Sequence, residues 1–320
     1  MSLQALTTEL LAYLAIDAKH QDMEGISGMV SALCQVVTPE DVEALYQWFL
    51  KHPQQTAAGY LTGFLCHFAQ QDWGPELASL FLEGNHLKDP DLDFALELIG
   101  HTQYEPALPA LMHYVTTDTS DHYRTRSAVL GLLVMDCSGY EEAILASIED
   151  TLGRSLFPEF VPALVCKLPA PESLLARLFE SGSTITSTDC NAGMVLGFAH
   201  CGELGRRYFK AVMFDPAWEA DDTGTGTARW VYEGMKVQHI GLRQLLAWVE
   251  EEPVAERQEQ GFLVWMQLVK LWFEDPMPNP LESSTELHSF IHQEKKAALH
   301  ELADQYGLKE RVSLFWEELK

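Results

Sequence analysis

The sequence predicts an all-α fold, a stack of antiparallel helical hairpins, and three observations predict it. Paired helical patterns recur along the chain, their first helices beginning near Asp91, Arg124, Pro158, Asp189, Arg229 and Glu256. Those starts are 33, 34, 31, 40 and 27 residues apart, and a recurrence of about 30 to 45 residues marks a helical solenoid. Apolar residues fall along one face of each helix, while the alternation that marks strands is scarce.

The elements follow in order. Residues 1–56 are expected to form N-terminal capping helices, 57–275 the repeats and 276–320 the C-terminal cap, all in one elongated domain, because stacked repeats share a continuous core. In DPDLD, Asp89 to Asp93, Asp89 is expected to cap a helix with Pro90 at its first position and further acids favoured by the helix dipole. The alternate carboxylates lack the glycine and terminal glutamate of a calcium loop.

Leu108, Leu111, Met112 and Val115 then share one helical face, as do Val161, Leu164, Val165 and Leu168, and later Leu242, Leu245, Leu246 and Val249. Breakers separate the two helices of each pair at Gly100 to Glu105, Cys137 to Gly139, Pro169 to Pro171, Cys201 to Gly202 and Gln238 to Gly241. Connections that short fold the second helix back on the first.

The 40-residue interval holds the surplus segment DPAWEADDTGTGTARW. Asp215 and Pro216 end one helix, and Gly224 and Gly226 delay the next. EEEPVAERQEQ, Glu250 to Gln260, is an acidic connector, and FLVWMQLVKLWF, Phe262 to Phe273, is apolar nearly all round and therefore expected to be buried. The three prolines of EDPMPNPLESS close the stack.

FALELIGHTQYEPALPALMHYV, Phe94 to Val115, resembles a HEAT repeat, with Ala95, Leu96, Leu98 and Gly100 in the first helix and Ala107, Leu108 and Leu111 in the second. Ser127 to Ile148 resembles the next copy and Cys190 to Val212 a later one. The resemblance spans about Ala57 to Asp275 but lacks a regular ladder of Asp with Arg or Lys at the turns. It implies a right-handed α-α superhelix and a role in binding rather than catalysis.

Charge narrows the function. The chain carries 47 Asp and Glu against 21 Lys and Arg, a net charge of −26. From Met1 to Tyr123 there are 17 acids against Lys19, Lys51 and Lys88 alone. Such a surface repels phosphate, which disfavours DNA, RNA and anionic membranes as partners. No apolar run reaches the length of a membrane span and the opening MSLQALTTELL lacks a basic signal-peptide start, so a cytoplasmic location is expected.

Chemistry is sparse. Cys34, Cys66, Cys137, Cys166, Cys190 and Cys201 are scattered without a CxxC pair and are expected to be buried thiols. His288 and His292 stand four apart, but HSFIH lacks the glutamate of a zinc protease motif. With no GxSxG, P-loop or dinucleotide fingerprint, no catalytic residue, cofactor or metal is expected.

The expected function is capture of a basic protein partner, in one concrete form a bacterial immunity protein neutralising a cationic toxin. The alternatives are an assembly factor or chaperone for a cytosolic complex and a HEAT-like DNA glycosylase. Trp218, Asp221, Asp222 and Trp230 on the inserted loop, with Asp89, Asp91 and Asp93 on the N-terminal hairpins, are the expected partner surface. Aromatic rings beside carboxylates suit a cationic group.

Overall fold

A computed structural model of the chain describes residues 39–154, 158–184, 191–222, 226–274, 292–308 and residue 310. The protein is all-α, with one minimal hairpin of strands among the described residues. The chain divides into two compact units, Met1–Pro171 and Glu172–Lys320. No described helix is long and apolar enough to cross a membrane.

In the first unit, α1 (Pro39–Lys51) and α2 (Thr56–His67) precede a 3-10 turn at Gln71–Trp73 and α3 (Gly74–Phe81). Two-residue strands β1 (Leu82–Glu83) and β2 (His86–Leu87) pair antiparallel, with Gly84 at φ 60° in the turn between them. Then come α4 (Phe94–His101), α5 (Leu108–Thr116), α6 (His122–Leu132), α7 (Glu141–Gly153) and a 3-10 helix at Val161–Lys167.

These elements stack in chain order: α2 packs on α4, α4 on α6, and α6 on the Val161–Lys167 helix, while α5 packs on α7. The backbones of α4 and α6 cross closely. A Cβ added at Gly100 would lie 2.3 Å from the Cα of Gly131, so the two backbones touch where only hydrogen fits. Of the apolar faces foreseen from spacing, Leu108, Leu111, Met112 and Val115 are buried, as are Val161, Leu164 and Val165, while Leu168 is half-buried.

Local chemistry sets the helix ends. The Asp121 carboxylate caps α6, accepting hydrogen bonds from the backbone N–H of Tyr123 at 2.9 Å and Arg124 at 3.1 Å. At its other end the Lys167 ammonium donates to the carbonyls of Leu133 and Met135, each at 2.8 Å, which satisfies carbonyls that a helix end leaves unpaired.

Two local expectations change. Asp89 does not open a helix: its carboxylate accepts from Asp91 N–H at 3.0 Å in a local turn, and α4 begins only at Phe94. The side chain of Asp89 closes its own backbone loop instead. The stripe from Val161 to Leu168 winds as a 3-10 helix, and Leu168 is extended at φ −89°, ψ 144°. Pro169 follows it, and a residue before proline is driven out of the helical region.

The second unit holds α8 (Glu172–Gly182), α9 (Ala192–His200), α10 (Gly202–Phe214), α11 (Thr227–Gln238), α12 (Leu242–Glu251), α13 (Ala255–Glu274) and α14 (His292–Gln305). Here α9 packs on α11 and α11 on α13, while α8 packs on α10 and α12 on α13. Val264, Trp265, Leu268, Val269 and Trp272 of α13 are buried, though Leu263 is 42% exposed. The Trp265 indole N–H donates to the Leu242 carbonyl at 3.0 Å and ties α13 to the start of α12.

Gln238 ends α11 as a buried amide that donates to the carbonyls of Ala199 and Gly202 and accepts from Arg206 Nε at 3.0 Å. Like Lys167, which reaches 34 residues back, it reaches 36 to 39 residues back to finish an earlier helix. The proline-rich segment before α14, the N-terminal capping region up to residue 38, Cys34, Cys190 and His288 lie outside the described residues.

Candidate functional site

The acidic character of the sequence becomes a surface in the first unit. From Pro39 to Pro171 there are 19 Asp and Glu against 6 Lys and Arg. Most of those six cations are engaged internally: Arg124 pairs with Asp118 at 3.2 Å and Asp121 at 3.7 Å, Arg154 with Asp150 at 2.8 Å, and Lys167 caps α6. Lys88 donates to the Ser79 carbonyl, and the Arg126 guanidinium lies 5.5 Å over the Phe160 ring.

Glu43, Asp72, Glu76, Glu83, Asp91 and Glu105 are exposed, and none pairs with a described Lys or Arg. Three of them surround Tyr46, which stacks on Trp73 with ring centroids 3.9 Å apart and donates its hydroxyl to Glu76 at 3.2 Å. Burial pushes the Tyr46 hydroxyl well above the usual tyrosine range, and the charges of Glu76, Glu43 and Asp72 push it the same way.

Of the expected partner residues in this unit, Asp91 is exposed and Asp89 half-buried, accepting from Gln54 Nε2 at 2.8 Å. That hydrogen bond is the main reason the Asp89 carboxyl sits below the usual range. Asp93 differs. It is half-buried and accepts from the Ser127 hydroxyl at 3.3 Å, and burial raises its pKa.

In the second unit the first part of the inserted segment, Asp215 to Trp218, is anchored. Asp215 accepts from Ala217 N–H at 3.0 Å to start a short turn at Pro216–Trp218, and Glu219 leaves it at φ 47° in the left-handed region. Trp218 is fully buried, its ring 5.4 Å from Phe179 and 5.9 Å from Phe198. A Cβ at Gly182 would come within 2.1 Å of the indole, so that glycine makes room for the ring.

Trp218 therefore belongs to the core and not to a partner surface, because a ring with no exposed area cannot touch a partner in the folded chain. Trp230, in the first turn of α11, is half-buried, as is Asp221, and Asp222 is exposed. The acidic tip thus stays accessible while the tryptophan pins its base. The Asp89 to Asp93 segment belongs to the first unit and the loop to the second.

A different group of residues converges between α2 and α4. Cys66, in the last turn of α2, faces Glu97 and His101, which stand four apart on one face of α4, and their ligand atoms all lie within 4.8 Å of one another. Cys66 is 7% exposed, while Glu97 and His101 are half-buried. The His101 ring is hydrogen-bonded to the Cys66 backbone, and His67 lies near enough for its charge to act on His101.

Burial raises the Cys66 thiol well above its usual range, with the Glu97 charge adding to it, and burial lowers the His101 imidazole. This thiol, imidazole and carboxylate can together hold a transition metal. The sequence did not reveal the group. Glu97 and His101 carry only the spacing of one helical face, and Cys66 is brought to them by helix packing.

The other described thiols are plainer. Cys137 is buried and Cys166 and Cys201 half-buried, so the expectation of full burial fails for the last two. Cys166 is pushed up to about 11 by burial.

No protein-family model matches the chain, and comparison with curated proteins and with solved structures also gives no match.

Proposed function

We propose that the protein is a non-enzymatic binding module, a HEAT-like stack of helical hairpins that captures a basic protein. One observation carries this reading: in the first unit most cations are engaged by neighbours, while at least six exposed carboxylates have no cationic partner among the described residues. Such a surface gains when a cationic protein supplies the missing charge, and it speeds encounter with that protein.

The stacking of successive hairpins in chain order supports the repeat part of the reading. Helices that begin within about three residues of the foreseen starts support it as well. The concrete form is a cytoplasmic immunity protein that neutralises a cationic toxin. An assembly factor or chaperone would use the same surface on more than one client, whereas a DNA glycosylase needs a cationic groove, the opposite sign.

Affinity purification on the full chain, with each bound protein identified, separates these. A single basic partner supports immunity, a set of unrelated clients supports chaperoning, and retention of DNA at moderate salt overturns the binding class altogether.

A further inference from the structure

We propose that Cys66, Glu97 and His101 bind one zinc(II) ion that clamps α2 to α4. A cysteine acting only as core filler would face apolar groups on every side. This one faces a carboxylate and an imidazole, and the three ligand atoms lie within 4.8 Å of one another. A tetrahedral zinc with bonds of about 2.0 to 2.3 Å sets its ligands roughly 3.3 to 3.8 Å apart. Ligand atoms up to 4.8 Å apart need to approach by about 1 to 1.5 Å to reach that spacing.

The donor set selects the metal. Calcium and magnesium require mostly oxygen ligands, and one carboxylate does not supply them. A sulfur, a nitrogen and an oxygen suit zinc, with water in the fourth position. A neutral His101 that donates one N–H to the Cys66 backbone keeps a lone pair on its other nitrogen, and ligating histidines are commonly fixed in this way.

Half-burial of Glu97 and His101 gives the ion a route from solvent. Cys66 becomes a thiolate as the zinc–sulfur bond forms, and its proton leaves to water. The ion then joins two consecutive hairpins that already pack together. The proposal does not depend on how the acidic surface is used.

The test uses the full chain stripped with a chelator, titrated with zinc(II) by calorimetry and with cobalt(II) by absorption spectroscopy. The expected result is one ion per chain, a rise in melting temperature, and a thiolate-to-cobalt charge-transfer band that disappears in Cys66→Ser. Glu97→Gln and His101→Gln should each weaken zinc by more than about 100-fold, beyond the upper range for loss of an outer-shell partner.

Circular dichroism establishes that each variant is folded, and if one is not, the wild-type cobalt spectrum decides alone. Absence of a thiolate band in the wild type, absence of stoichiometric zinc, or unchanged affinity in all three folded variants overturns the proposal.

Discussion

Gly100→Ala should destabilise the protein, although it replaces a poor helix former with the best one. The new methyl would sit 2.3 Å from the Cα of Gly131 and 2.6 Å from its carbonyl carbon and oxygen, against about 3.5 to 4.0 Å for a comfortable carbon contact. Backbone cannot rotate out of the way, so α4 and α6 must part by more than 1 Å. Overpacking of this kind costs about 1–3 kcal/mol and occasionally more; with no flexible neighbour to yield, the upper figure applies. Alanine returns about 1 kcal/mol of helix propensity, leaving a net loss of about 2 kcal/mol. At about 2.1 cal/mol/K of unfolding entropy per residue, a chain of 320 residues shifts by about 1.5 °C per kcal/mol, so the melting temperature falls by about 3 °C.

Gly63→Ala is the matched control. Gly63 is exposed on α2 with nothing within 4 Å of an added Cβ, so the same substitution should stabilise by about 0.5–1 kcal/mol. Urea midpoints followed by circular dichroism measure both. If Gly100→Ala is as stable as the wild type, the close crossing of α4 and α6 is wrong.

Trp218→Ala should cost about 3–5 kcal/mol, as truncation of a buried aromatic does, whereas Asp221→Asn with Asp222→Asn should stay within about 0.5 kcal/mol of wild type and slow partner association; thermal melts and surface plasmon resonance separate the two. Lys167→Met should cost about 1–3 kcal/mol by stranding the Leu133 and Met135 carbonyls, and its urea midpoint reads this directly. Asp93 holds its proton more tightly folded than unfolded, so its contribution weakens as pH rises above the ordinary carboxylate value. Asp93→Asn should therefore gain on the wild type as pH rises above about 4 when urea midpoints are compared across a pH series.

The hairpin order was legible because it depends on apolar spacing and breakers, which act locally. Leu108 to Val115 and Leu242 to Val249 reveal their faces without any partner in view. Proline chemistry was partly legible: Pro169 ends its helix as expected, but the tighter winding of Val161–Lys167 does not follow from apolar spacing alone. Trp218 misled, because an aromatic beside aspartates resembles a contact surface until Phe179, Phe198 and the space left by Gly182 are seen around it.

Side-chain bridges between helices far apart in the chain were the hidden layer. Lys167 reaches 34 residues back to Leu133 and Gln238 reaches 39 back to Ala199. Cys66 meets its partners on α4 in the same way. No local pattern encodes such pairings, since they arise from the packing of consecutive hairpins, and the regular acid–base ladder sought in the sequence is replaced here by these individual ties.

The most direct test of the binding reading is to isolate the protein that co-purifies with the full chain and follow its association rate from about 0.1 to 1 M salt, where the Debye length contracts from about 10 Å to about 3 Å. A partner of net positive charge whose association slows at least about tenfold over that range is the predicted result. A neutral or acidic partner, or a rate indifferent to salt, would contradict it.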